Sequence, residues 1–185
     1  MLNDLNDIEL VRLFKEDKNR DQVFTVIVKR YQERIYWQIR RLVVSHTDAD
    51  DVMQNVFIKA WNALDQFRED AKLFTWLYRI ATNESLTYLE QAKKRSSLSF
   101  DDMSETLADK LHSEKDFDEK KAVWKLQLAI QQLPEKQRVV FNLRYFEEMP
   151  YGEMSEILET SVGALKASYH PVSYTHLTLP TKRIV

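Results

Sequence analysis

The sequence predicts an all-α protein made of two small helical domains joined by a flexible acidic linker, and three observations carry that prediction. Only 2 glycines and 4 prolines occur in 185 residues, whereas glycine-rich phosphate loops, hairpin-rich sandwiches and barrels need glycine where φ is positive. Apolar residues recur at intervals of three and four instead of alternating, which is the helical period. Charge is unevenly spread: residues 1–95 carry 16 basic and 15 acidic side chains, residues 96–121 carry 4 and 8, and the remainder carries 7 and 6. The middle stretch is rich in Ser, Asp and Glu and poor in large apolar residues, so it cannot bury enough surface to offset chain entropy. It reads as a linker at 96–121 between a domain at 1–95 and a second at 122–170.

Each element follows from a local signal. A short helix spans Ile8 to Lys15. Phe24, Ile27, Val28, Tyr31, Ile35, Ile39 and Leu42 then form one face of a long helix. Asp48 is of the N-cap type, with Asp50 and Asp51 in the first turn, and Val52, Val56, Phe57, Ala60, Trp61 and Leu64 line one face of the helix behind it. A further helix begins near Thr75 and runs through Leu77, Ile80, Ala81 and Tyr88 to Lys93, Lys94 and Arg95, cations suited to a helix C-terminus. Past the linker, a helix through Leu126, Ile130 and Leu133 meets Pro134, which opens the next helix, running to Phe146. Pro150 and Gly152 break the pattern. Tyr151 to Leu158 is a short helix, Glu159 to Ser161 a turn, and Val162 starts the last helix. Two short helices across a three-residue turn read as a helix-turn-helix.

Several function classes are excluded. The chain has no cysteine and 4 histidines, so there is no disulfide framework, thiolate metal site or cysteine nucleophile, and little to build an imidazole metal site. No glycine-rich phosphate loop, paired-histidine motif or Ser/His/Asp context is present, and no enzymatic activity, cofactor or small-molecule substrate is expected. The N-terminus is acidic and no apolar run reaches the length of a membrane span, so a cytoplasmic protein without membrane insertion is expected.

The blocks DADDVMQNVFIKAWNALDQF, REDAKLFTWLYRIATNESLTYL and, beyond the linker, LPEKQRVVFNLRYFEEMPYGEMSEILETSVGALKASYH resemble, in that order, bacterial RNA polymerase sigma factors of the extracytoplasmic-function type. The resemblance covers roughly residues 8–170. It implies that domain 1–95 (sigma region 2) binds the polymerase core and reads and melts the minus-10 element, and that domain 122–170 (sigma region 4) reads the minus-35 element. The expected partners are the polymerase clamp and flap, promoter DNA and an anti-sigma factor.

By the same resemblance, the outer face of the helix carrying Asp48, Asp50, Asp51, Gln54 and Asn55 docks on the clamp. For Asp48 a second reading stands beside it, as a charge that merely complements the helix macrodipole. Minus-10 DNA is assigned to Arg68, Lys72, Phe74, Arg79, Asn83, Lys93, Lys94 and Arg95. Aromatic rings, amides and cations in one segment suit single-stranded DNA, where a base stacks, an amide reads it and a cation holds its phosphate. Asn83 takes the place that reads an extruded base, Lys72 and Phe74 lie in the specificity loop, and Trp76, Leu77 and Ile80 read as core. Minus-35 DNA is assigned to Ser161, which caps the recognition helix, and to Lys166, Ser168, Tyr169 and His170 on its exposed side. Val162 and Leu165 read as core, and Gly163 implies close approach to DNA or to the preceding helix. The cluster Leu133, Val140, Leu143 and Phe146 reads as core with an exposed part facing the flap.

The end of the chain departs from the family. Pro171 is expected to break the recognition helix, and Val172 to Thr181 are the ten residues encoded by GTC TCT TAT ACA CAT CTG ACG CTG CCG ACG, a translated sequencing-library adapter. Residues 171–185 therefore read as a non-native tail. Two other readings of the whole chain are a stand-alone helix-turn-helix regulator acting without polymerase and a protein-interaction module with no DNA role. Co-purification with core polymerase separates the first reading from both.

Overall fold

The computed structural model describes residues 2–16, 19–68, 70–96, 126–127 and 129–178, with backbone alone for 96 and 171–178; beyond Ser96, the expected linker lies outside the described residues. Among the described residues the ordered elements are helices: α1 (Asp7–Lys15), α2 (Arg20–Val43), α3 (His46–Ala63), α4 (Leu73–Ser96), α5 (Glu135–Tyr145), α6 (Tyr151–Leu158) and α7 (Val162–Thr178), with short 3-10 turns at Leu2–Asp4 and Leu64–Gln66.

The first four pack as a bundle. A capping box starts α1: the Glu9 N–H donates to the Asn6 side chain at 2.9 Å and the Asn6 N–H to the Glu9 carboxylate at 2.8 Å, satisfying two of the helix's orphan donors. In α2 the expected stripe is buried at Ile27, Tyr31, Ile35, Ile39 and Leu42, joined by Val23. Phe14, Phe24 and Trp61 form an aromatic knot at one end, with Trp61 edge-on to both phenylalanines at 5.1 Å. Phe57 adds a further edge contact to Phe24 at 6.4 Å, and the Arg20 guanidinium closes the knot 4.2 Å from the Phe14 ring.

Two expected boundaries shift. Ser45, not Asp48, caps α3: its hydroxyl accepts the Asp48 N–H at 3.3 Å, which puts Asp48 inside the first turn. A serine three residues upstream takes the cap, so the aspartate carboxylate acts on the macrodipole and on groups outside its own helix. Pro134 is the residue before α5 and not its first turn.

The larger correction concerns Pro171. The backbone of α7 runs on through it to Thr178. Proline's fixed φ is helical, so its cost inside a helix is one lost N–H bond and a clash with the carbonyl four residues back, here that of Ala167, and neither ends the segment.

The two predicted domains share a core. Val139, Val140, Leu143, Met149, Met154, Ile157 and Leu165 belong to the same apolar cluster as α1–α4, while Ile130, Leu133 and Phe141 form a smaller cluster of their own. α6 packs on α4, and α5 on the end of α2. Buried Arg138 fixes that junction. Its guanidinium donates to the Gln131 side chain at 2.9 Å, to the Leu133 carbonyl at 3.3 Å and to the Leu42 carbonyl of α2 at 3.5 Å.

Candidate polymerase and promoter interfaces

α3 presents the outer face the sequence expected. Ala49, Val52, Val56 and Ala60 turn inward, which leaves Asp50, Asp51, Gln54 and Asn55 exposed on the other side. Asp48 differs from them. It is half-buried and bonds the Tyr88 phenol of α4; burial first, then that bond, pushes the phenol up to about 12. Ile58 was missed: it is 51% exposed one turn beyond Gln54 and Asn55. Its signal was an isoleucine at an outer position of an otherwise regular amphipathic helix. A large apolar side chain set among polar ones is the composition of an interface centre.

The segment assigned to minus-10 DNA is divided by the fold. Phe67, Leu77 and Tyr78 are buried and hold the loop and α4 onto the bundle, and Trp76 and Ile80 are half-buried. Phe74 is half-buried too, its ring 4.2 Å from that of Tyr78, with the Arg34 guanidinium over it at 4.3 Å from the ring centre. Arg68, Lys72, Arg79 and Asn83 are exposed. Lys72 donates to Glu153 of α6 at 2.6 Å, a bond that raises its pKa, and Arg79 pairs with Glu159. At the far end of α4, Lys94 pairs with Glu90 at 2.7 Å, Arg95 is exposed and Lys93 half-buried.

In the helix-turn-helix, Glu159 ends α6 in the left-handed region (φ 50). Ser161 caps α7 as expected, its hydroxyl accepting the Ala164 N–H at 3.3 Å. Lys166 and His170 are exposed. Ser168 and Tyr169, expected to be exposed, are half-buried, Tyr169 because its ring stacks on Phe141 at 5.8 Å. Leu165 is core, but Val162 is 38% exposed, because the first turn of α7 projects beyond the packed face. A Cβ on Gly163 would meet no atom within 4 Å, so the preceding helix does not require the glycine. Of the cluster assigned to core and flap, Leu133, Val140 and Leu143 are buried, and the exposed large residue is the neighbouring Tyr145, at 40%.

Asn83, Arg79, Lys136 and Ser168 line one cleft of about 200 Å³ between α4 and the second domain. Two residues assigned to minus-10 DNA, Arg79 and Asn83, and one assigned to minus-35 DNA, Ser168, thus face the same space. Among the described residues, no helix is long and apolar enough to cross a membrane and no acidic or histidine cluster suits a metal ion.

Residues 27–95 match the family model for Sigma-70 region 2, and residues 124–170 that for Sigma-70, region 4. The RNA polymerase sigma-H factor of Pseudomonas aeruginosa is 34% identical, and the ECF RNA polymerase sigma-E factor of Escherichia coli K12 is 33% identical, each match covering 90% of both chains. Two solved structures share the fold. One is CnrH in complex with the cytosolic domain of CnrY, with a TM-score of 0.68 at 22% identity over 96% of this chain and 98% of that one. The other is the sigma factor RpoE of Bartonella quintana in complex with the anti-sigma factor NepR, with a TM-score of 0.66 at 16% identity over 88% and 98%. The two region matches in order, the relatives matched over nine-tenths of their length and the helical architecture agree: this chain belongs to the extracytoplasmic-function group of sigma-70 family RNA polymerase sigma factors.

Proposed function

We propose that α3 carries the docking face for the polymerase core, centred on Asp51, Gln54, Asn55 and Ile58, that Arg68, Lys72 and α4 read minus-10 DNA, and that α7 reads the minus-35 duplex. The observation that carries this reading is the exposed polar face of α3 around Ile58, backed by a fully apolar inner face and lying within the region 2 match. The region 4 match over the helix-turn-helix supports the second half. Asp48 is assigned to the bundle through Tyr88 and not to the clamp. Catalysis belongs to the polymerase, and the site of action is the cytoplasm, where polymerase works.

Both solved neighbours are complexes with a regulatory partner, which supports an anti-sigma factor for this chain as well. The segment 96–121 serves as the acidic connector. Residues 171–185 are a foreign tail, a reading supported by the end of the region 4 match at residue 170 and tested by resequencing the source locus.

Run-off transcription with purified core polymerase, on a library of random upstream sequences, tests the function. Selection of sequences sharing two separated elements is expected, and no enrichment overturns it. Asp51→Arg combined with Gln54→Ala is expected to weaken core binding in a competition assay by about 1–2 kcal/mol, with helicity unchanged in circular dichroism.

A further inference from the structure

We propose that Lys15 is a positioning residue for base selection: from the end of α1 it holds the main chain at Phe67, and through that bond it fixes how Arg68 and the start of α4 are presented to minus-10 DNA. The bond stands on geometry alone; what Arg68 and α4 read rests on the function proposed above.

The Lys15 ammonium donates to the Phe67 carbonyl at 2.7 Å, across 52 positions of sequence. Phe67 ends the 3-10 turn Leu64–Gln66 with extended backbone (φ −60, ψ 122), so its carbonyl has left the helical ladder and needs a partner from elsewhere. A charged donor makes the stronger kind of hydrogen bond to it. Because a peptide unit is planar, holding the Phe67 carbonyl also holds the Arg68 N–H, and with it the plane from which Arg68 departs. Arg68 itself is exposed. The bond therefore reaches a candidate DNA contact through one rigid unit.

The surroundings make Phe67 a junction. Its ring is buried and lies 5.2 Å from that of Trp76 in the first turn of α4, where the Trp76 N–H donates to the Lys72 carbonyl at 3.1 Å. Thus α1 holds the backbone of Phe67 while α4 holds its side chain. Arg20, the first residue of α2, ties the same turn again by pairing with Asp65, and α1 packs against that turn. At the other end of α1, Asn6, Asp7 and Ile8 line a cavity of about 460 Å³ together with Phe67, Lys72 and Leu73. Both ends of α1 bear on the segment that leads into α4. The region 2 match begins at residue 27, so Lys15 and Arg20 lie outside it. The support for this carbonyl comes from a part of the chain that the match does not include.

A lysine beside a DNA-facing segment has a second possible role, as a phosphate contact, and the two roles differ in what they change. A phosphate contact carries no sequence information and acts on all sequences alike. A residue that aims a reader alters which bases are preferred and releases no counterions of its own.

Lys15→Met keeps the length of the side chain and removes the donor, whereas Lys15→Arg keeps a donor. Hydrogen exchange of the free chain tests the tie at the Phe67 amide, which donates to the Leu64 carbonyl at 3.2 Å. Exchange there is expected to quicken about fivefold or more in Lys15→Met and to match the parent in Lys15→Arg. Holoenzyme assembled from each chain with core polymerase is then offered the random upstream library. In Lys15→Met the preference for the favoured base is expected to fall about fivefold at one or more minus-10 positions, with minus-35 enrichment and the salt dependence of promoter binding as in the parent. Lys15→Arg is expected to restore the preference. Parent-like exchange in Lys15→Met overturns the tie, and faster exchange with parent-like base preferences overturns its role in selection. A uniform loss on all sequences, with a salt slope lower by about one, makes Lys15 a phosphate contact and overturns the proposal as well. If the parent chain enriches no sequences, the function proposed above fails, and the exchange result, which needs neither polymerase nor DNA, still decides the tie.

Discussion

The aromatic knot of the first domain and the seam between the domains are both packed contacts, but they are made of different materials. At the knot, Phe14, Phe24 and Trp61 meet edge to face with one arginine stacked over them. At the seam, apolar contacts from Val140, Leu143 and Ile157 are interrupted by Glu147, Arg41, Gln38 and Asn142. Apart from the Arg20 guanidinium and the Trp61 indole N–H, the first set has nothing for water to bind, whereas the second is interrupted by side chains that water solvates well. Burial that only hydrophobic area supports is permanent, whereas burial that leaves amides unpaired is conditional.

That contrast can be broken most forcefully at the knot. Phe14→Ala deletes a fully buried ring and is expected to cost about 3–5 kcal/mol in urea unfolding followed by circular dichroism. A loss below about 1 kcal/mol would show that the knot is no more permanent than the seam. Next in size, Asn83→Ala is expected to weaken promoter opening by about 1–3 kcal/mol while sparing core binding. Permanganate reactivity of the melted strand measures it, and unchanged footprints would make Asn83 a cleft-lining residue only.

Two smaller effects sharpen the seam itself. Glu153→Ala removes the partner of an exposed lysine, so melting is expected to stay as in the parent while affinity for random single-stranded DNA rises a few-fold; an unchanged affinity would mean the pair blocks nothing. The smallest effect is one of pH. Tyr88 ionises in the folded chain at about 12, against about 10 for an ordinary tyrosine. The folded state therefore keeps its proton longer, and the stabilisation is complete below about pH 10 and lost as pH rises toward 12. Tyr88→Phe is expected to flatten part of that fall in unfolding free energy over the same window, and an identical slope would show that the α3–α4 tie through Asp48 contributes nothing.

Local signals were legible where one residue type has one use. Pro150, the left turn at Glu159 and the Ser161 cap bound α6 and α7 where the pattern put them. α3 was displaced because Asp48 and Ser45 are both cap-forming types, and the tie between them is decided by which backbone amide lies within reach. The seam was not legible, since Glu147 is one carboxylate among 29 acidic residues and periodicity does not say which faces of two domains meet. One clue was present. Residues 138–143 of α5 are buried all round, and the run VVFNL is too apolar for a helix with a single covered face. Its extra apolar side covers the first domain. Tyr169 was misplaced for a related reason: helical spacing put it outward, but its stacking partner Phe141 is 28 positions away.

The cleft shared by Asn83 and Ser168 also sets how the chain responds to supply. A site that is available only in the open form binds with an apparent strength reduced by the open fraction, so a chain open about one time in a hundred binds DNA about a hundredfold more weakly than its surface would allow. None of the residues lining that cleft lies on α3, so whatever grips the exposed face of α3 meets no such penalty.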